Sequence, residues 1–326
     1  MLKINSINRR EFIRLASTAG AALSLPLQSC SAMDAIQGNK NKMERRPIPS
    51  STTGELMPVI GLGTSMGSYV VEPPEGKQAY IDVLQILLDA GGRLINTAVW
   101  PKAIAKGIDD TILGQLIEEM EIRDDLFIAH MIDLGMGPGR ENGIAQLEAN
   151  DRVYRKRPMD LIEVAGMKDL DTQWKLFKEW KEAGKTRYIG ITTIHASDYD
   201  RISAFMKKEK PDFIQLNYSA LEYTAEERIL PLANDLGIAI MANRPFMNGR
   251  FFGIVKGKKL PEWAADFDCE SWAQFSMKYI LANPYVTCVI TETGNPKHAL
   301  DNVQAGMGRI PNAEEQLRIR KHLEGL

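Results

Sequence analysis

The stretch WKLFKEWKEAGKTRYIGIT, Trp174 to Thr192, holds one complete structural unit. A helical pattern covers Trp174 to Ala183 and stops at Gly184, as a C-terminal glycine stop does. The apolar run Tyr188–Thr192 that follows reads as a buried strand. The same alternation extends in both directions. Further strands are expected at Val59–Gly63, Arg93–Asn96, Leu126–His130, Leu161–Ala165, Phe213–Leu216, Ile238–Ala242 and Val286–Ile290. Between them lie amphipathic stretches, the clearest with Ile108, Ile112, Leu113, Leu116, Ile117 and Met120 at helical spacing. Eight such units favour a closed parallel (β/α)8 barrel of the TIM type over an open sheet. A short N-terminal hairpin around Thr53-Gly54 precedes the barrel. The segment Asn243–Phe267 adds a long loop, and the tail Pro311–Leu326 an extra C-terminal helix.

Composition narrows the function classes. The chain has 326 residues, of which 44% are hydrophobic and 25% charged, the balance of an ordinary globular protein. A net charge of −2 and the lack of a basic stripe interleaved with aromatics give no electrostatic basis for nucleic-acid binding. Three cysteines, Cys30, Cys269 and Cys288, argue against a disulfide framework. No His/Cys/Asp cluster has zinc or iron spacing, so no metal is expected.

Residues 1–32 read as an export leader outside the fold. Arg9-Arg10-Glu11-Phe12-Ile13-Arg14 resembles a twin-arginine signal, an address read by the machinery that exports folded proteins. The apolar stretch Leu15–Leu27 is broken by Ser, Thr, Gly and Pro and is shorter than the ~20 apolar residues of a spanning helix. Leu27-Gln28-Ser29-Cys30 then resembles a lipoprotein cleavage box with Cys30 as the acylated residue; plain cleavage near Ala32 is the alternative. Lipidation would supply the only membrane attachment. The expected destination is the periplasm, in free or membrane-anchored form. Residues 33–46 read as a polar linker and 47–326 as the barrel.

A set of motifs in fixed order carries a family resemblance. Gly61-Leu62-Gly63-Thr64, Leu94-Ile95-Asn96-Thr97-Ala98, Lys185-Thr186-Arg187-Tyr188-Ile189-Gly190 and Phe213-Ile214-Gln215-Leu216-Asn217-Tyr218-Ser219 resemble the aldo-keto reductases. Ala242-Asn243-Arg244-Pro245-Phe246 and Asn295-Pro296 through Asn302 continue the match. An ordered set of this kind is far more specific than any single motif. The resemblance implies carbonyl reduction with a nicotinamide cofactor through an Asp-Tyr-Lys-His tetrad. Here the Asp position is Asn96, the Lys position Met131 and the His position Ala165, while the Tyr position falls within Trp100–Lys106. Tyrosine is absent between Tyr80 and Tyr154, lysine between Lys106 and Lys156, and histidine between His130 and His195, so gap placement does not restore the set.

No residue is therefore assigned as catalytic. In such barrels ligands sit at the C-terminal strand ends, which points to Asn96, His130, Ala165, Thr192, Gln215 and Asn243. By alternation Glu163 faces the interior with Ala165. It either replaces the lost acid or pairs with an interior amide or arginine below the pocket. His130 alternates to the helix side.

The resemblance also implies a nucleotide pocket. Its carboxamide-binding positions correspond to Thr192, Thr193 and Gln215, and its nicotinamide-stacking aromatic to Asn243. Arg244, Gly249 and Arg250 lie in the loop that wraps the pyrophosphate. At the adenosine end stand Glu292, Thr293, His298 and Asn302. Glu292 would repel a 2′-phosphate or accept from a ribose hydroxyl, which favours NAD over NADP, unless it turns to solvent. The segment Pro296–Asn302 reads as a helix N-terminus suited to an anion. Three readings stay open: a family relative that binds a nicotinamide nucleotide or similar ligand without the standard reaction, an active NAD(P)H-dependent oxidoreductase with other acid–base groups, and a non-catalytic envelope interaction protein.

Overall fold

The computed structural model describes residues 42–64, 74–97, 112–132 and 137–326. The twin-arginine motif at Arg9-Arg10, Cys30 and the tyrosine-equivalent segment Trp100–Lys106 lie outside the described residues.

Eight parallel strands close into a barrel. They follow an antiparallel hairpin of β1 (Arg45–Pro47) and β2 (Leu56–Pro58). The barrel strands are β3 (Ile60–Gly63), β4 (Leu94–Thr97), β5 (Phe127–Ile132), β6 (Met159–Ala165), β7 (Thr186–Thr193), β8 (Phe213–Asn217), β9 (Ala239–Asn243) and β10 (Cys288–Glu292). Each pairs with the next in sequence, and β10 returns to β3. Around them run α1 (Pro74–Asp89), α2 (Ile112–Glu119), α3 (Arg140–Tyr154), α4 (Leu170–Glu182), α5 (Tyr199–Glu209), α6 (Ile229–Leu236), α7 (Arg250–Ile254), α8 (Trp272–Ala282), α9 (Pro296–Gln304) and α10 (Ala313–Glu324).

The period of two along each strand divides the core in two. Leu94, Phe127, Ala129, Leu161, Tyr188, Phe213, Ala239, Met241, Cys288 and Ile290 form the barrel interior, together with Ile48 and Met57 from the hairpin region. Their neighbours Ile95, Ile128, Ile162, Ile189, Ile214 and Ile240 pack outward with the helices. Phe127, Tyr188 and Phe213 stack at centroid distances of 5.5–6.0 Å and fill the lower interior. Below them Glu55 accepts from the Arg187 guanidinium and from the Tyr188 hydroxyl. These side chains fill the N-terminal end of the barrel among the described residues.

Strand ends differ from the sequence expectation by one or two residues, and two boundaries have a clear physical cause. Residues 43–46, read as the end of the linker, belong to the folded body. Met43 is buried beside the Gly306 turn, the Glu44 amide donates to the Gly306 carbonyl, and Arg46 donates to the carbonyls of Leu281, Asn283 and Val286. The last strand begins at Cys288 rather than Val286, because the Val286 amide turns back onto the Asn283 carbonyl. That shift carries the strand on to Glu292. The glycine stop behaves as expected: α4 ends at Glu182, and Gly184 takes a left-handed φ of 67°. The tail helix α10 starts with a reciprocal capping box between Asn312 and Glu315.

Candidate active site

A pocket of about 710 Å³ opens at the C-terminal ends of the strands, a volume suited to a small organic ligand. Asn96, Met131, Ala165, Thr192, Gln215, Asn243, Ile290 and Glu292 reach it from the barrel strands. Asn96, Met131 and Ala165, the residues matched by resemblance to the tetrad, all line this pocket, and none of these side chains titrates in the ordinary pH range. Of the residues expected to contact a nucleotide, Thr192, Thr193, Gln215, Asn243, Arg244, Gly249 and Glu292 line the pocket.

The remaining cofactor positions do not. Arg250 points away and pairs with Glu222 at 2.8 Å, its side chain 69% exposed. Thr293 is absent from the lining, and its hydroxyl accepts from the Asn295 amide. His298 is exposed and Asn302 is buried, both outside the pocket wall. The N-terminus of α9 is already capped. The Asn295 side chain accepts from the Lys297 amide, and Pro296 has no amide hydrogen to offer. The anion site expected at Pro296–Asn302 is accordingly weakened by the chain's own cap.

Glu163 faces the interior, as alternation required, but lies behind the pocket wall. It is fully buried, and its Oε2 accepts from Asn96 Nδ2 at 3.3 Å. Asn96 Oδ1 in turn accepts from Gln215 Nε2 at 3.3 Å. Burial pushes the Glu163 carboxyl up to about 8, against the opposing effect of the Asn96 hydrogen bond. Gly190 makes room for it: a Cβ there would sit 2.8 Å from the Phe213 carbonyl and 3.3 Å from Glu163 Cγ. His130 lies on the helix side, fully buried, with its ring 5.2 Å from that of Tyr154.

The loop after β9 contributes more than the sequence suggested. Arg244, Met247 and Asn248 have φ of 51°, 53° and 54°, and Gly249 has φ of 85°. Left-handed backbone at non-glycine residues is costly and collects where a site needs a particular chain path. This path brings Phe246, Asn248, Gly249 and Phe252 onto the pocket wall. The Phe246 and Phe252 rings lie 5.0 Å apart, and Phe252 stays 44% exposed at the mouth. Two phenylalanines close to a glycine in an otherwise irregular segment were the available signal, and it went unread. Ile194 and His195, just past β7, also line the pocket. The Thr193 hydroxyl holds that turn by donating to Asp198 and accepting from the His195 amide. Arg244 meets no carboxylate among the described residues at ion-pair distance and is a cation lining the pocket. No cluster of His, Cys, Asp or Glu among the described residues could hold a metal.

Gln215 Oε1 and Asn243 Oδ1 are buried without a hydrogen-bond partner among the described residues.

Comparison with known proteins agrees with this geometry. Residues 59–323 match the model of the aldo/keto reductase family. The uncharacterized oxidoreductase YrpG of Bacillus subtilis is 24% identical over 265 residues, covering 68% of this chain and 80% of that protein. The NADH-specific methylglyoxal reductase of Escherichia coli is 25% identical over 243 residues, covering 66% and 72%. Among solved structures, an aldo-keto reductase from Klebsiella pneumoniae in complex with NADPH superposes with a TM-score of 0.68 at 19% identity, over 86% of this chain and 96% of that one. The holo form of aldo-keto reductase AKR11C1 from Bacillus halodurans gives 0.66 at 20% identity, with the same coverage.

Proposed function

The chain belongs to the aldo/keto reductase family, and from that premise we propose that it binds a nicotinamide nucleotide at the barrel mouth without the family's acid-assisted carbonyl reduction. One observation carries this reading. The pocket at the C-terminal strand ends is lined by Thr192, Gln215 and Asn243 with Arg244 beside them, while Asn96, Met131 and Ala165 put no titratable side chain at their three positions.

The residues present fit the nucleotide at its nicotinamide end. Gln215, Asn243 and Thr192 would give a carboxamide a polar wall, and Phe246 with Phe252 would shield the ring from water. Arg244 would meet the phosphates. When bound, such a nucleotide supplies a hydride. Carbonyl reduction also needs a proton at the nascent oxyanion, and a positioned acid ordinarily contributes ~100- to 10,000-fold. Relatives bear on the choice of nucleotide: the Klebsiella enzyme holds NADPH, and the Escherichia coli enzyme is named as NADH-specific. Glu292 at the rim supports NAD here.

A second reading, an oxidoreductase with a rebuilt acid, rests on the raised pKa of Glu163. Its weakness is position, since Asn96 stands between that carboxyl and the pocket. The leader supports export: Arg9-Arg10 followed by a weakly apolar stretch fits delivery of a folded protein to the periplasm, with Cys30 as a lipid attachment point.

Calorimetric titration of the mature protein with NADH tests the main reading. Saturable binding that weakens at least about tenfold in Gln215→Ala is the expected result, the scale of one lost hydrogen bond to a buried partner. Absence of binding by both NADH and NADPH would remove it.

A further inference from the structure

Glu163 on β6 is a fully buried carboxyl one layer beneath the pocket wall. Ala165, two residues further along the strand, lines the pocket, as do its register partner Met131 and its hydrogen-bond partner Asn96. No cation acts on the carboxyl among the described residues. Arg187, at the N-terminal end of the barrel, lies against the Phe127 and Tyr188 rings and is paired with Glu55 and Asp160. We propose that Glu163 is a charge-selecting residue: its carboxyl ionises when a ligand brings a positive charge to the wall of Asn96, Met131 and Ala165, so the pocket favours cationic rings and releases a proton on binding them. For a nicotinamide this means the oxidised ring over the reduced one. The choice of nicotinamide as ligand rests on the nucleotide reading above; the proton linkage does not.

A carboxyl without a counter-ion in an apolar interior stays protonated, because an isolated buried charge costs far more than a neutral acid. Burial pushes Glu163 up to about 8, and the Asn96 hydrogen bond opposes that rise. An aliphatic side chain would fill the same layer without burying a polar group. The missing counter-ion is what a ligand can bring. Two residues along a strand span roughly 7 Å. Unit charges at about that separation, with an effective dielectric of about 20, shift an equilibrium by about tenfold or more. Glu163 therefore acts without touching the ligand, since its field crosses one layer of neutral side chains.

The groups around the carboxyl are uncharged. Asn96 faces it from β4, Met131 from β5, Gly190 from β7 and Phe213 from β8. Tyr188 and Cys288 are the titratable side chains of the interior cluster, and burial pushes both above their ordinary values. His195, Arg244 and Glu292 line the pocket itself, and the discrimination they add is retained when Glu163 is replaced. Below pH 8 the empty site holds a neutral acid, so a cation must displace its proton to gain the attraction. Above that value the carboxylate is already formed and the attraction is complete. Preference for a cation therefore grows as pH rises through about 8.

Calorimetry compares oxidised NAD with NADH, which share their phosphates and differ by one unit of charge at the ring. Titrations are run at pH 6.5 and pH 9.5 on the mature protein and on Glu163→Gln, an isosteric change. From the lower to the higher pH the affinity ratio should move about tenfold toward NAD. In Glu163→Gln the ratio should hold steady. At pH 8, NAD titrations in phosphate and in Tris should differ in heat through proton release, and the variant should lose that difference. A ratio unmoved by pH while the nucleotides bind, or the same movement in Glu163→Gln, overturns the inference and leaves the nucleotide reading intact. If neither nucleotide binds, that reading fails, and Glu163 is followed directly through the ¹³Cδ signals of labelled glutamate, its own being the one lost in the variant. Its titration midpoint should fall in millimolar 1-methylnicotinamide, a cation, and stay in place with neutral nicotinamide. A midpoint unmoved by the cation overturns the inference.

Discussion

Asn96 Nδ2 and Glu163 Oε2 meet at 3.3 Å inside the barrel, an amide holding a carboxyl that has no cation beside it. Isolated from water, that carboxyl keeps its proton to about pH 8, whereas in an unfolded chain it ionises near 4.5. The sign of the stability effect follows. The folded pKa is raised, so the contribution of Glu163 is complete below 4.5 and is lost as pH rises through 8. Each unit of that window costs up to about 1.4 kcal/mol. Urea unfolding between pH 5 and 9 should show falling stability, and Glu163→Gln should flatten the slope. An unchanged slope would show that the carboxyl is ionised in the folded protein.

His130 has the opposite sign. Its ring is fully buried between β5 and α3, and burial pushes its pKa down to about 4, with Asn150 close enough to oppose the shift. A depressed histidine stabilises the fold above the unfolded value near 6.5 and loses that contribution as pH falls through 4. The prediction is an acid-side loss of stability between those limits, absent in His130→Leu. Acid unfolding monitored by circular dichroism measures both limbs. Identical acid slopes in the two proteins would defeat the assignment.

How far the sequence reaches is clear from these two residues. Alternation alone placed Glu163 inward and His130 outward, because a strand has a strict period of two. All eight barrel strands were legible for the same reason, with ends off by one or two residues. Tertiary pairing set the ends: the Val286 amide closes a turn on Asn283, and the strand starts two residues late. The loop after β9 was harder. Its shape comes from left-handed residues at Arg244, Met247, Asn248 and Gly249, of which only the glycine announces itself in sequence. Phe246 and Phe252 reach the pocket through that path, and Arg250 leaves it for Glu222. A list of family positions follows the chain order and misses such redirections.

Nucleotide preference follows from Glu292, the one carboxylate on the pocket wall among the described residues. Its charge also acts on Tyr80, whose hydroxyl is pushed up to about 12 by burial first and Glu292 second. A 2′-phosphate nearby would be repelled, whereas a ribose hydroxyl would not. NAD should bind more tightly than NADP by about 1 kcal/mol, since exposed charges are screened. Glu292→Gly should narrow the difference. Titration calorimetry with both nucleotides decides the point, and tighter binding of NADP would reverse it.

The proposed export route makes a prediction about the leader. Replacing Arg9 and Arg10 with lysine should hold the protein in the cytoplasm, as read by cell fractionation, because the signal is recognised as an arginine pair. Cys30→Ser should move the mature protein from the membrane to the soluble envelope fraction if that residue is acylated. Unchanged delivery after the double lysine substitution would rule out the twin-arginine route.

The last prediction concerns the chemistry. Reduction of an aldehyde needs a hydride and, at the carbonyl oxygen, a proton. On the proposed reading, Asn96, Met131 and Ala165 stand on the pocket wall in place of the family's aspartate, lysine and histidine. Glu163 holds a proton at neutral pH but is screened from the pocket by Asn96. Losing a general acid costs ~100- to 10,000-fold, and members of one catalytic unit do not add. Generic aldehydes and quinones should therefore drive NAD(P)H oxidation no faster than in Gln215→Ala, which weakens the nicotinamide surface. If Glu163 does deliver its proton through Asn96, turnover will be measurable, will fall as pH rises past about 8, and will vanish in Glu163→Gln. Turnover that survives Glu163→Gln would falsify both accounts and place the proton donor elsewhere in the chain. A flat absorbance trace at 340 nm with saturated nucleotide is the expected outcome.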